Sequence, residues 1–388
     1  MIKIALIEGP YLRPSGIKHW EELDKRNGFD IVAFESKPSR YDTSGLDLEV
    51  RQLYWPEGDF TILGYEHFFS RALEAAHFPS DYLVGIRKLT EEFDIIHGAE
   101  NYRTFSLQAA IATRNTDSKF VFSAGENIPY PRKQRNPLMW EVKKYVNKRA
   151  DGINTTTPFG KRALIHEGVD PEKVSVIPNC IDTDIFKPTQ DINLSDTAID
   201  EDLINTTNIL FVHHLCQQKG VPHLLKAFAD IREDYENLRL VLVGENDLSS
   251  DDKDLVEKHS DIVWIDSLPY QDMPKLYNIC DIGVLPSVPV TNNEEQFGMA
   301  ILEAMACGLP TVVTNVGGLP YVVNDKETSL VVPPRSPSKL AAALGKLIED
   351  PQLRTTFGEN GRDRAISKFG QEKVADKLGL FYKKIMGV

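Results

Sequence analysis

Short β-branched runs alternate with amphipathic helical segments along the whole chain, and this alternation constrains the fold more than any other feature. The runs are nearly continuous in apolar residues, as strands of a parallel sheet must be when helices cover both of its faces. The pattern predicts a doubly wound α/β protein. The predicted strands are Ile2–Ile7, Ile31–Phe34, Ile95–His97, Phe120–Ser123, Val174–Pro178, Ile209–Val212, Leu240–Val243, Ile262–Ile265, Ile282–Leu285 and Thr311–Thr314.

The chain has 388 residues, more than a single hydrophobic core normally organises. A polar, acidic stretch at 188–206 interrupts the strand–helix alternation, and a new strand follows it. We therefore predict a Rossmann-like N-terminal domain over 1–187, a linker over 188–206 and a Rossmann-like C-terminal domain over 207–370. A final helix is predicted within 371–388, and we expect its apolar side to pack back on the N-terminal domain.

Composition restricts the class of protein. The net charge of −13 argues against indiscriminate nucleic-acid binding, which needs a basic surface, so no nucleic-acid partner is expected. The beginning of the chain has the pattern of a strand rather than a signal peptide, and no run approaches the roughly 18 apolar residues of a membrane span. The four cysteines are Cys180, Cys216, Cys280 and Cys307, and no two of them form a CxxC pair. This spacing argues against a thiolate metal site and fits a reducing cytoplasm.

One segment, EQFGMAILEAMACGLP, combines two carboxylates with a predicted helix start. The helix is predicted to begin near Gly298, so the backbone N–H groups of Phe297, Gly298 and Met299 lie at its N-terminus and form an anion site suited to a diphosphate. Glu295 precedes the helix and Glu303 lies eight residues further on. Two interpretations remain open for the carboxylates: ligand binding, or a helix cap and an exposed helix residue.

The spacing Glu-x7-Glu, followed by AMACGLP and TNVGG, resembles the signature of retaining family-4 glycosyltransferases of the two-domain GT-B architecture. The resemblance implies a deep interdomain cleft and a nucleotide-diphosphate sugar as donor. It implies that Glu295 contacts the donor sugar and that Glu303 holds the nucleotide ribose. The amides of 297–299 then bind the diphosphate and the sugar.

A second segment, FVHHLCQQKG, is similar to the family pattern FVGRLxxxKG. By this resemblance Lys219 neutralises the donor diphosphate. His213 and His214 stand where glycine and arginine are usual. A protonated His214 would supply the phosphate contact of the missing arginine. Alternatively, both histidines are only strand-end residues.

The N-terminal half offers weaker candidates. Gly16, in the loop after the first strand, is the candidate for close backbone approach to the donor phosphate, or it is a turn glycine. The histidine that many family members carry after the strand Phe120–Ser123 is absent, and Glu126 or Asn127 is expected to contact the acceptor or sugar hydroxyls instead. His97 ends its strand at the edge where α/β sheets bind ligands, although a structural role is the alternative.

The segment 131–149, PRKQRNPLMWEVKKYVNKR, is basic in an acidic protein and has an apolar face. Two interpretations stay open. The helix lies on an anionic membrane near a lipid-linked acceptor, or it packs on its own domain as a solvated helix.

The resemblance implies a GT-B enzyme that transfers a sugar, with retention, from a nucleotide sugar to a hydroxyl of a glycan, a lipid-linked molecule or a small molecule. Glu295, Lys219, His97 and Glu126 are the predicted catalytic residues. No DxD-like cluster lies at a strand end where it would bind a divalent ion, so no metal and no other cofactor is expected. The alternatives are a GT-B phosphorylase, a sugar-nucleotide epimerase, or an inactive binding subunit. We expect a cytoplasmic protein, at most peripheral to the membrane.

Overall fold

The computed structural model describes residues 1–37, 39–54, 83–130, 137–190, 192–195, 197–291 and 293–388. The chain divides into two compact units. The N-terminal unit comprises Met1–Cys180 together with Gln371–Val388, and the C-terminal unit comprises Ile181–Gly370. Each unit is built around its own parallel sheet.

The N-terminal unit contains a seven-stranded parallel sheet in the order β3-β2-β1-β4-β5-β6-β7. Its strands are β1 (Ile2–Gly9), β2 (Phe29–Lys37), β3 (Glu49–Tyr54), β4 (Ile95–Ala99), β5 (Lys119–Ala124), β6 (Gly152–Thr155) and β7 (Val174–Val176). The helices in this part of the chain are α1 (Lys18–Asp24), α2 (Ile86–Leu89), α3 (Thr104–Ala112), α4 (Pro137–Arg149) and α5 (Pro158–His166).

The central strand β1 shows why both faces of this sheet are covered. Side chains alternate between the two faces of a strand. Ala5 and Ile7 enter one apolar cluster, and Ile4 and Leu6 enter the other. All four are completely buried, which explains the unbroken apolar run in the sequence.

The C-terminal unit contains a six-stranded parallel sheet in the order β10-β9-β8-β11-β12-β13. Its strands are β8 (Thr207–Val212), β9 (Leu238–Val243), β10 (Ile262–Ile265), β11 (Ile282–Leu285), β12 (Thr311–Thr314) and β13 (Ser329–Val332). Its helices are α6 (Val221–Ile231), α7 (Ser250–Lys258), α8 (Met273–Ile279), α9 (Met299–Ala306), α10 (Leu319–Val322), α11 (Pro337–Glu349) and α12 (Pro351–Arg364).

The last helix, α13 (Gln371–Met386), packs on the N-terminal unit. Val374 and Leu378 are completely buried in the cluster that covers one face of the N-terminal sheet. Trp20 of α1 donates a hydrogen bond from Nε1 to the hydroxyl of Tyr382 at 2.9 Å. Apolar burial and a directed polar contact thus hold α13 in place.

The segment 188–206, expected to be a solvated linker, instead belongs to the C-terminal unit in its described residues. Leu194, Ile199 and Leu203 are buried in the core of that unit. The unit begins at Ile181, six residues before the expected boundary at 187. The interpretation as a linker is therefore wrong, because apolar residues spaced too irregularly for a helix still bury their side chains.

Part of the apolar side of the basic segment 131–149 packs inside the N-terminal unit, while Leu138 is exposed. Met139, Val142 and Val146 of α4 are buried, and the latter two lie in the core of the N-terminal unit. Residues 131–136 lie outside the described part of the chain. Among the described residues, no helix combines the length and the apolar character needed to cross a bilayer.

Candidate functional site

The functional groups of the C-terminal unit gather where β8, β11 and β12 end. β8 lies between β9 and β11, so the connections leave it in opposite directions and a crevice opens at its carboxyl end. Ligands of open α/β sheets bind at such a switch point. The loops that follow these strands carry Lys219, Glu295 and the two glycines Gly317 and Gly318.

Glu295 and Lys219 form a close ion pair at this edge. Lys219 Nζ donates to Glu295 Oε2 at 2.7 Å, and Ser287 Oγ donates to the same oxygen at 3.0 Å. The side chains of Lys219 and Glu295 are only 13% and 7% exposed. Burial by itself raises the pKa of Glu295, but the Lys219 ammonium outweighs it and the net pKa is lowered. Glu295 is therefore an ionised carboxylate beside a cation.

Contacts between two loops place this pair. The backbone N–H of Val288 donates to the carbonyl oxygen of Gln218 at 2.9 Å. Asn293 Nδ2 donates to the side-chain oxygen of Gln218 at 3.2 Å. The turn that carries Lys219 is thereby fixed against the loop that carries Glu295.

The N-terminus of α9 presents backbone donors. Gly298 is its N-cap residue, with a φ of 96°, a left-handed conformation that favours glycine. The side chain of Phe297 is buried against the ring of Phe369, with ring centroids 5.8 Å apart. Among the described residues, none accepts a hydrogen bond from the backbone N–H of Phe297, Gly298 or Met299. This end of the helix is prepared for an anion.

Glu303 lies inside α9 and is half-buried rather than exposed. The hydroxyl of Tyr277 in α8 donates to Glu303 Oε2 at 2.9 Å. Desolvation by burial raises the pKa of Glu303 to about 7, and the Tyr277 hydrogen bond opposes this rise only in part. The carboxyl group therefore changes its protonation near neutral pH.

The two histidines after β8 have different surroundings. The ring of His214, which is 40% exposed, lies between two exposed carboxylates, with Nδ1 3.6 Å from Glu245 Oε2 and Nε2 3.8 Å from Asp247 Oδ2. The His213 ring accepts the backbone N–H of His214 at Nδ1, at 2.8 Å. Burial, followed by the charge of Lys219, lowers the pKa of His213 to about 4. The ammonium of Lys219 thus acts on the ring of His213.

His97 is completely buried, so the expectation that it lines an open edge of the sheet is wrong. Its Nδ1 is 2.6 Å from the hydroxyl of Tyr382, and its Nε2 is 2.8 Å from Ser123 Oγ. Burial lowers the pKa of His97 to about 3, which keeps the ring neutral. With both ring nitrogens bound to protein groups, His97 is a structural residue below α13.

The other N-terminal candidates remain predictions. Glu126 is half-buried in the loop after β5. The neighbouring Asn127 is buried, and its side-chain oxygen accepts a hydrogen bond from Thr157 Oγ1 at 2.5 Å. Gly16 is exposed at the end of a short 3-10 turn and has no left-handed φ. The structure gives Gly16 no feature that requires glycine.

Three groups near these edges escaped the sequence analysis. Ser287 and Tyr277 contact the two glutamates, but neither belongs to a recognisable motif. Glu8, at the carboxyl end of β1, has a pKa raised to about 7 by burial and by the charge of Glu100. Its position at the end of a central strand was the available signal.

Two family profiles match the chain. The profile described as "Glycosyl transferases group 1" matches residues 199–364, and the profile "Glycosyltransferase Family 4" matches residues 67–185. The alpha-maltose-1-phosphate synthase of Mycolicibacterium smegmatis is 29% identical over 239 residues, which cover 57% of this chain and 59% of that protein. The MMP alpha-(1->4)-mannosyltransferase of Mycolicibacterium hassiacum is 28% identical over 316 residues, 76% of this chain and 71% of that protein.

Solved structures share the fold over the full chain. Sucrose-phosphate synthase from Thermosynechococcus elongatus has a TM-score of 0.73 at 20% identity, with 100% of both chains covered. Anabaena HepE in complex with UDP has a TM-score of 0.71 at 18% identity, with 99% of this chain and 100% of that chain covered. At these identities the likeness establishes the fold alone.

This chain belongs to the family-4 glycosyltransferases of the GT-B fold. The resemblance drawn from the motif that begins at Glu295 and the predicted α/β fold class are thereby confirmed. The matched part of the chain spans less than two thirds of the length of the maltose-1-phosphate synthase.

Proposed function

We propose that this protein transfers a sugar from a nucleotide-diphosphate sugar to a hydroxyl group of an acceptor, with retention of the anomeric configuration. The observation that carries the proposal is the ion pair of Lys219 with Glu295, a residue close in sequence to the backbone N–H groups at the start of α9, which have no acceptor among the described residues. A cation and helix amides match a diphosphate, and a buried carboxylate matches sugar hydroxyls.

Each group has a defined task in the reaction. As the bond between sugar and diphosphate breaks, negative charge grows on the leaving diphosphate. Lys219 and the amides of 297–299 stabilise that charge where it develops, which is usually the largest catalytic contribution. Glu295 accepts hydrogen bonds from sugar hydroxyls and orients the ring. Glu303 accepts hydrogen bonds from the ribose of the nucleotide.

Uridine diphosphate sugars are the first donors to test. Two proteins with this fold have been solved as complexes: Anabaena HepE with UDP-glucose, and the Escherichia coli trehalose-6-phosphate protein with UDP-2-fluoro glucose. The acceptor is a hydroxyl compound: a glycan, a lipid-linked molecule or a small sugar. We place the reaction in the cytoplasm, because the cysteines are free thiols, as a reducing compartment allows.

The test is release of nucleoside diphosphate on addition of an acceptor. Thermal stabilisation by UDP-, GDP- and ADP-sugars selects the donor, since a ligand at a hundredfold its Kd adds about 2.7 kcal/mol. Acceptor mixtures are then screened for release of the diphosphate, and NMR gives the anomeric configuration of the product. Turnover that needs inorganic phosphate would indicate a phosphorylase. Conversion of the donor in the absence of an acceptor would indicate an epimerase. Absence of binding to every donor would indicate an inactive subunit.

We predict that turnover does not depend on a divalent metal. Lys219 and the α9 amides supply the positive charge that a metal ion would otherwise bring to the leaving group. Activity in EDTA should stay within about twofold of the untreated enzyme. Removal of a metal that acts as a Lewis acid would have a far larger effect, because such a metal supplies several kcal/mol of transition-state stabilisation. Loss of turnover in EDTA that Mg²⁺ or Mn²⁺ restores would contradict the prediction.

We predict that Glu303→Gln and Glu303→Ala weaken nucleoside-diphosphate binding by about tenfold, because hydrogen bonds to a charged acceptor are lost. The effect should depend on pH. Ribose hydroxyls favour the ionised carboxylate, and its pKa of about 7 in the free protein means that wild-type affinity gains as pH rises through 7. Calorimetry from pH 6 to pH 8.5 measures this gain.

The control for this prediction is Glu359→Gln, which changes an exposed carboxylate of α12. Comparing each Glu303 variant with wild type at every pH cancels the titration of the ligand phosphate. If affinity and pH profile are the same in Glu303→Gln and wild type, Glu303 does not contact the ribose.

A further inference from the structure

His213 directly follows β8, where the family pattern has glycine. Its backbone N–H donates to the carbonyl oxygen of Val243 at 3.0 Å, so the residue continues the pairing of β8 with β9 and its backbone is fixed by the sheet. A side chain at this position starts from the carboxyl edge where the site groups gather.

The protonation of the His213 ring follows from its contacts. Nδ1 accepts the backbone N–H of His214 at 2.8 Å, and a ring nitrogen that accepts a hydrogen bond carries no proton. The neutral ring therefore carries its proton on Nε2. The tautomer is fixed by the chain itself, which leaves Nε2–H as a donor of known identity.

The His213 ring and the Lys219–Glu295 pair lie at the same carboxyl edge of the sheet, because His213 directly follows β8 and the loop after β8 carries Lys219. Burial, followed by the charge of Lys219, lowers the pKa of the ring, which agrees with this placement. Among the described residues, none accepts a hydrogen bond from His213 Nε2, and the atom is not sealed from solvent. A half-buried donor that lacks an acceptor and lies next to an anion site can donate its hydrogen bond to an oxygen of a bound ligand.

We propose that His213 donates a hydrogen bond from Nε2 to the diphosphate of the nucleotide sugar, and so replaces the arginine contact that the family pattern would place at His214. His214 is turned to other partners, since its ring lies between the carboxylates of Glu245 and Asp247. The inference rests on the proposed function and adds one residue that contacts the donor directly. A neutral imidazole then does the work of a guanidinium.

The test is calorimetric titration of UDP, and of GDP and ADP if UDP does not bind, into wild type and four variants. His213→Phe keeps an aromatic ring but removes the Nε2 donor. It should weaken diphosphate binding by about tenfold or more, as expected for the loss of a hydrogen bond to a charged group. His213→Asn keeps a side-chain donor and should recover part of the affinity. His214→Phe tests the rival assignment, and His166→Phe, in an exposed position of the N-terminal unit, is the matched control.

Titration of the corresponding nucleoside, which has no phosphate, separates contact from misfolding. A merely structural role of His213 would weaken nucleoside and diphosphate alike, whereas the proposed contact leaves nucleoside affinity unchanged. Diphosphate affinity equal to wild type in His213→Phe, or a loss confined to His214→Phe, would overturn the inference while the proposed function stands. If wild type binds none of the three diphosphates, the proposed function fails with it.

Discussion

Glu295→Gln is expected to lower turnover by about a hundredfold or more while the protein still binds the nucleoside diphosphate, as for loss of one electrostatic contact in a transition state. Glutamine keeps the shape of the side chain and an oxygen for Ser287, but it removes the charge that pairs with Lys219. The freed ammonium remains available to the diphosphate. Binding should therefore persist when the sugar is no longer oriented.

Stability must be separated from catalysis in this experiment. Removing one partner of a buried ion pair costs about 3–5 kcal/mol, so Glu295→Gln should also lower Tm. The double variant Lys219→Met with Glu295→Gln leaves no unpaired charge and should recover Tm without recovering activity. Glu294→Gln, a half-buried carboxyl next in the chain, is the control and should retain turnover. Wild-type kcat in Glu295→Gln would remove Glu295 from the reaction.

The strands that the sequence predicted are those with nearly continuous apolar runs. β6 escaped prediction, because its four buried residues include Asn154 and Thr155. Asn154 is tolerated there since its Oδ1 accepts a hydrogen bond from Ser123 Oγ at 2.9 Å. This partner comes from the neighbouring strand β5, which the local sequence of β6 does not show. β3, in which Glu49, Arg51 and Gln52 interrupt the apolar residues, and the short β13 gave equally little signal.

The candidate site was predictable where its residues share one motif. Glu295 and Glu303 follow from spacing, and Lys219 from a second segment. Ser287 and Tyr277 were not predictable, because their contacts with the glutamates depend on how β11 and α8 pack. The same limit applies where a helix from a distant part of the chain packs over the end of a strand.

His97 shows that limit most clearly. Its position at the end of a central strand indicates an edge where ligands bind. The structure buries it under Tyr382, which is 285 residues away in the chain. Local sequence cannot reveal that a terminal helix returns to cover a strand end, so the inference from strand position alone failed.

Gly317 lies against the backbone of the loop that carries Glu295. Its φ is 55°, and a Cβ atom built on it would lie 1.8 Å from the carbonyl oxygen of Glu295. The next residue, Gly318, donates its backbone N–H to that same oxygen at 2.8 Å. The glycine pair of the TNVGG segment thus fixes the backbone of Glu295, and no side chain fits between them.

We therefore expect Gly317→Ala to abolish most activity, by about a hundredfold or more, and to lower Tm by on the order of 10 °C. The left-handed conformation costs alanine about 1–2 kcal/mol, and overpacking adds roughly 1–3 kcal/mol. In a protein of this size each kcal/mol corresponds to about 2–4 °C or less. Turnover falls because the methyl group displaces the Glu295 backbone, and small displacements of positioning groups are costly in rate.

The matched control for this substitution is Gly45→Ala. A Cβ atom at Gly45 meets nothing within 4 Å, and the residue is exposed, so the same methyl group should leave Tm and turnover unchanged. Differential scanning calorimetry and initial rates on both variants provide the comparison. If Gly317→Ala matches wild type in both measurements, the backbone of Glu295 has room to move, and the glycine pair does not set the position of the carboxylate.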